Sequence, residues 1–230
     1  MKACLSKLLL VMSKFAQLSA EFLGTLLLVC SVVGSGYMAQ ELFPGSPGNM
    51  LLANTLVTGV MLVVLINIFG QFSGAHFNPA VSISFYLMKT MTLGKFLQYS
   101  IVQILGGISG SLLANIMFTE QWLQVSSIQR EGSNLFISEI VASFGLVLTI
   151  LALVNKKETI NLGAAVGLYI AGAYWFTSST SFANPAVTIG RIFTSNFTGI
   201  DPINVGYFVV AQFIGASLAF FLMRFYNKNS

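Results

Sequence analysis

Charge is nearly missing from this chain. Only 8% of its 230 residues are Asp, Glu, Lys or Arg, against about 25% in an ordinary soluble domain. So few polar groups cannot cover a globular surface, and lipid is the expected solvent. Cysteine and histidine are scarce as well. Cys4 and Cys30 offer neither a disulfide framework nor ligand spacing, and read as small buried hydrophobes. His76, the single histidine, has no second His, Cys or acid at ligand spacing, which argues against a metal site. It also provides no evident base for the many serines, and no Walker-type or dinucleotide Gly pattern occurs. Neither catalysis, a cofactor nor ATP-driven transport is expected.

Apolar sequence is what the chain has in abundance. Six stretches, near 15–38, 51–69, 96–118, 135–154, 160–177 and 205–223, approach or exceed the about 20 residues a membrane-spanning helix needs. The N-terminal run at 8–12 is too short for a signal peptide core and is followed by Lys14, so cleavage is not expected. With a cytoplasmic N-terminus and six spans, Lys2, Lys7, Lys14, Lys89, Lys95, Lys156, Lys157, Arg224 and Lys228 fall inside, and only Arg130 and Arg191 fall outside. This is the positive-inside pattern, and it places both termini in the cytoplasm. The net charge of +4 is therefore sorted by topology, which removes the case for a nucleic-acid partner.

The chain also repeats itself. "AEFLGTLLLV" with Glu21 is answered by "SEIVASFGLVL" with Glu139, "FNPAVSI" by "ANPAVTI", and Gln103 in the third span by Gln212 in the sixth. Each half, about 1–119 and 134–230, holds three spans, so the second enters the membrane from the opposite face. One transmembrane domain of residues 1–230, built as an inverted repeat, follows, the organisation of many membrane channels and transporters.

In each half Asn-Pro-Ala (Asn78, Pro79, Ala80; Asn184, Pro185, Ala186) opens a ten-residue apolar stretch, 79–88 and 185–194. Asn is a favoured N-cap and Pro a favoured first helical residue. A ten-residue helix is roughly 15 Å long, half a bilayer core. Two re-entrant half-helices entering from opposite sides are expected to meet at the midplane, N-terminus to N-terminus. Backbone polar groups at that depth line a watery path, where the two helix dipoles oppose cations and protons but not neutral molecules. The fold class is thus all-α: six transmembrane helices plus two half-helices.

Together, "AEFLGT", "SGAHFNPAVS", "SEIVASFG", "ANPAVT" and the Gln-bearing spans resemble the aquaporin and glycerol-facilitator family of major intrinsic proteins, over nearly the whole chain. The resemblance implies a helical bundle with a pore in each monomer, assembled as a homotetramer in the inner (cytoplasmic) membrane. By the family's spacing, the selectivity constriction falls at Thr58, Gly172, Ser181 and Val187. Family members usually carry Arg where Val187 stands, and glycerol facilitators often have Asp at Thr188. Four small constriction residues imply a wide opening, nearest to atypical bacterial members, some associated with metalloids. The expected cargo is small neutral solutes (glycerol-like polyols, urea or neutral metalloid hydroxides) together with water.

Several residues admit two readings. Glu21 and Glu139 either support the re-entrant loops or couple protons in a secondary transporter. His76 lines the cytoplasmic vestibule, gates it by pH, or hydrogen-bonds within its loop. Gly106, Gly107, Gly110 and Gly215 serve either as hinge points or, more commonly in membrane bundles, in close helix packing. Tyr174 and Trp175 suit either a pore wall or interfacial anchors. Arg191, four residues beyond Val187, either reaches back to guard the constriction or pairs at the rim with Asp201 or lipid. A strict water channel is the narrower alternative for the whole chain.

Overall fold

The computed structural model describes residues 2–154 and 161–229, with side chains over 14–154 and 161–228. Lys2, Lys7 and Cys4 (side chains) and Lys156, Lys157 and Ile160 lie outside the described residues. The helices are α1 (Lys2–Leu42), α2 (Pro47–Ser73), α3 (Pro79–Leu87), α4 (Leu93–Phe118), α5 (Ser133–Leu153), α6 (Leu162–Phe176), α7 (Pro185–Gly190) and α8 (Pro202–Asn229), with a one-turn 3₁₀ helix at Arg191–Phe193. Proline sets much of this register. Pro47, Pro79, Pro185 and Pro202 each stand at a helix start, where the missing N–H costs nothing.

Five described helices are long and apolar enough to cross a membrane, and α6 is shorter. Leu56, Val60, Ile101, Ile116, Leu168 and Val210 point outward and exposed. A face of this kind is stable against lipid, not water.

The helices approach closely where the side chain is absent. A Cβ on Gly106 or Gly110 of α4 would stand 2.5 and 2.3 Å from the carbonyls of Phe22 and Leu26 on α1. A Cβ on Gly215 of α8 would stand as near to the Ile140 carbonyl on α5, at 2.3 Å. These crossings depend on small residues, as membrane bundles commonly do.

The half-helices fill the middle of the bundle. Helix α3 ends at Leu87, one residue before the sequence expectation. Helix α7 is shorter than expected, closing at Gly190 and tightening into the 3₁₀ turn. The reason is its neighbour: a Cβ on Gly190 would lie 2.6 Å from the Gly107 carbonyl of α4, so the two backbones touch there. A tightened last turn is a usual way for a helix to end under such crowding.

Candidate functional site

Two loops, 73–78 and 179–184, lead into α3 and α7, and their backbones match. Ala75 and Phe77 have φ of 51° and 50°, and Ser181 and Ala183 have 48° and 50°. The left-handed region costs a non-glycine residue about 1–2 kcal/mol, so something must hold these loops.

Two buried carboxylates do so. Glu21 accepts from Ser73 Oγ (2.6 Å), His76 N (2.9 Å), Phe77 N (2.7 Å) and Gln103 Nε2 (2.7 Å). Glu139 accepts from Ser179 Oγ (2.6 Å), Phe182 N (2.9 Å), Ala183 N (2.9 Å) and Gln212 Nε2 (2.6 Å). The two sets correspond residue for residue. Both acids are fully buried, and neither borders the central cavity. Charge-assisted bonds of this kind are about twice as strong as neutral ones.

Where the loops end, each Asn caps its helix. Asn78 Oδ1 accepts from Ala80 N at 2.8 Å, and Asn184 Oδ1 from Ala186 N at 2.9 Å. Each amide nitrogen crosses to the other loop: Asn78 Nδ2 donates to the Ala183 carbonyl and Asn184 Nδ2 to the Phe77 carbonyl, both at 2.8 Å. Since an Asn amide has two N–H donors, one remains on each. Both Asn residues border a narrow cavity of about 60 Å³ through the centre of the bundle.

The same cavity is bordered by Thr58, Tyr174, Ser181, Phe182, Val187 and Arg191 toward one end, and by His76, Ala75 and Val81 toward the other. Thr58 Oγ1 and Tyr174 Oη lie 3.2 Å apart. Gly172 is not among the lining residues. It is exposed with nothing within 4 Å of a Cβ placed on it. The two positions from 172 to 174 turn a helix by about 200°, so Tyr174 faces the cavity while Gly172 faces outward. Neighbouring Trp175 is 52% exposed on the outer face, so the aromatic pair divides between wall and surface. The small side chains of Thr58, Ser181 and Val187 therefore share the cavity lining with Tyr174, Phe182 and Arg191, and Gly172 takes no part in it.

Arg191 is 2% exposed and forms no pair with Asp201, whose carboxylate takes Gln129 Nε2 and Ile203 N. His76 Nδ1 lies 3.0 Å from Ser82 Oγ, and its ring stacks on Phe85 at 4.4 Å. No group of three or more His, Cys, Asp or Glu able to hold a metal occurs among the described residues.

Residues 9–178 match the family model described as major intrinsic protein. The chain belongs to that family. This major intrinsic protein is a membrane channel, not an enzyme. It is 50% identical over 206 residues to an aquaglyceroporin of Rhizobium meliloti, covering 89% of this chain and 87% of the relative. It is 31% identical over 227 residues to the glycerol uptake facilitator protein of Streptococcus pneumoniae, covering 88% and 96%. In fold it is similar to the X-ray structure of the aquaglyceroporin from Plasmodium falciparum, with a TM-score of 0.71 at 24% identity, covering 93% of this chain and 96% of the other.

Sequence reasoning passed over Phe182 and Arg130 in this major intrinsic protein. The repeat offered a signal for the first: Phe182 stands two residues before Asn184, as His76 stands before Asn78. Arg130 comes from the 119–132 segment, which has no periodicity to read.

Proposed function

We propose that this chain is a passive channel for small uncharged solutes, either glycerol-like polyols, urea or neutral metalloid hydroxides, with water passing too. The observation that carries the reading is the cavity shared by Asn78 and Asn184, each with an amide hydrogen left over after its helix cap and cross-loop bond. A neutral solute exchanges its water hydrogen bonds for these donors at little cost, while an ion has no opposite charge to meet there. The names of the relatives, an aquaglyceroporin and a glycerol uptake facilitator, support a polyol over water alone.

In this reading Asn78, Pro79 and Ala80 with Asn184, Pro185 and Ala186 form the pore centre. Thr58, Ser181 and Val187, with Tyr174 in the place expected of Gly172, form the outer constriction. Glu21 and Glu139 support the loops, and His76 lines the cytoplasmic vestibule. The halves, about 1–119 and 134–230, act as inverted repeats, supported by the matched bonds of Glu21 and Glu139. The channel functions as a homotetramer in the inner (cytoplasmic) membrane with both termini in the cytoplasm.

A proton-coupled transporter needs an acid that reaches the solute path. The four bonds on each carboxylate and its absence from the cavity lining weigh against that. Stopped-flow light scattering on proteoliposomes, with water, glycerol and urea, tests the proposal. Glycerol should equilibrate without accumulating. Concentrative uptake that collapses with a protonophore would favour the transporter, and water flux without glycerol flux the strict water channel.

A further inference from the structure

We propose that the Arg191 guanidinium is the charge-selective donor of the outer constriction, supplying what Val187 cannot, and that Arg130 positions it through the shared ring of Phe182. This rests on the channel reading above and adds the residue that rejects cations.

Val187 borders the cavity but has no polar side-chain atom to offer a solute. Arg191 borders the same cavity. Its Nε donates to the Thr198 carbonyl, its guanidinium carbon lies 3.4 Å from the Phe182 ring centroid, and its Nη1 is buried without a hydrogen-bond partner. An unsatisfied buried donor costs about 1–3 kcal/mol, and more on a charged group. Such a group in a native fold calls for an explanation. Ser181 Oγ, bordering the same cavity, is also buried without a partner. Two unmet polar atoms beside Phe182 and Val187 make an amphipathic surface. A solute with hydroxyls along one edge and carbon along the other satisfies both halves of it.

The repeat explains why Arg191 lies there. In the first half, Phe85 stacks on His76 at 4.4 Å. The same offset that relates Asn78 to Asn184 relates Phe85 to Arg191 and His76 to Phe182. In both halves a residue in or just beyond the last turn of the half-helix packs on the ring-bearing residue of its own loop. The cytoplasmic end thereby receives an aromatic stack, and the outer end a cation on a ring.

Arg130 completes the arrangement from outside the repeat. Its guanidinium carbon lies 4.8 Å from the Phe182 centroid, and it donates from Nε to the Gly199 carbonyl (2.8 Å) and from Nη2 to the Phe197 carbonyl (2.9 Å). The carbonyl that holds Arg191 belongs to Thr198, between them. Three consecutive carbonyls thus orient two arginines about one ring. Burial pushes Arg130 down to about 10, so it stays cationic at neutral pH. The Asp201 carboxylate accepts from Gln129, and that of Glu139 from its loop.

The test uses full-length protein in proteoliposomes at matched density. Glycerol and water fluxes are read by stopped flow, and proton and sodium leak under an imposed potential. Arg191→Met, similar in length but uncharged, should raise the leak about tenfold, the effect of losing one charge-assisted interaction of ordinary size. Arg191→Lys should keep the leak low. The double variant Val187→Arg with Arg191→Val, which moves the charge one turn, should restore exclusion. Arg130→Gln should raise the leak in the wild-type background and add nothing to Arg191→Met. An unchanged leak in folded Arg191→Met, beside a wild type that carries glycerol, overturns the proposal alone. Additive effects of the two arginine variants overturn the positioning role of Arg130. A wild type that carries neither glycerol nor water overturns the channel reading, and this proposal with it.

Discussion

Asn78 and Asn184 each donate a 2.8 Å hydrogen bond to the carbonyl of the residue just before the other. Each side chain is thus at once the cap of its own half-helix and the tie to the opposite loop. The two roles use different atoms, oxygen for the cap and nitrogen for the tie, so they can be tested apart. Asn184→Ala loses a cap, a cost of about 0.5–2 kcal/mol, and leaves the Phe77 carbonyl without its donor. Asn78→Ala does the same to Ala183. Each variant should melt earlier and conduct glycerol more slowly. Normal conduction in both, at equal protein levels, would place the path elsewhere.

Glu139→Gln keeps the shape of the side chain but turns one acceptor oxygen into a donor that faces donors. At least two of the four bonds to Glu139 are then lost, and buried polar groups left unpaired cost about 1–3 kcal/mol each. The expected result is a sharp fall in folded protein on size-exclusion chromatography, with whatever flux survives still passive. Wild-type stability in Glu139→Gln, coupled to loss of a proton-dependent flux, would reverse the roles assigned to Glu21 and Glu139.

Tyr174→Phe deletes the hydroxyl that hydrogen-bonds to Thr58 in the cavity lining. One neutral hydrogen bond is worth about 1 kcal/mol, or roughly fivefold in a rate. Glycerol flux should change by that order relative to water flux, since a polyol presents more hydroxyls to the wall. An unchanged glycerol-to-water ratio would remove Tyr174 from the constriction.

Two glycines make a paired contrast. Gly172 faces open space, so Gly172→Leu should leave flux within about twofold of wild type, the ordinary range of a surface substitution. Gly107 backs onto the Ala186 carbonyl, where an added Cβ would stand 2.4 Å away. Overpacking of this kind costs about 1–3 kcal/mol, and here it displaces the start of α7. Gly107→Ala should therefore lose both stability and conduction. A Gly172→Leu channel that is blocked would return that residue to the pore.

The spans were legible because hydropathy is a property of whole segments and tolerates errors of several residues. The half-helices were legible because Asn-Pro marks a helix start chemically. Which face each residue presents was harder to read. Gly172 and Tyr174 differ by two positions, and on a helix that is the difference between the outer face and the cavity. The retreat of α7 into a 3₁₀ turn depends on Gly107, which stands far away in sequence. The approach of Arg130 to Phe182 comes from an irregular segment, where sequence carries no period to follow.

The bonds around the two acids have a bearing on how the protein is made. Glu21, Ser73 and Gln103 belong to the first half, and Glu139, Ser179 and Gln212 to the second. A chain synthesised from its N-terminus can therefore seat its first loop before the second half has left the ribosome. The ties from Asn78 to Ala183 and from Asn184 to Phe77 must wait, because each needs both halves in the bilayer. Until then Asn78 and the Phe77 carbonyl lack their partners in a medium that offers few substitutes. That unmet polarity disfavours a half-inserted chain and draws the second half in against the first.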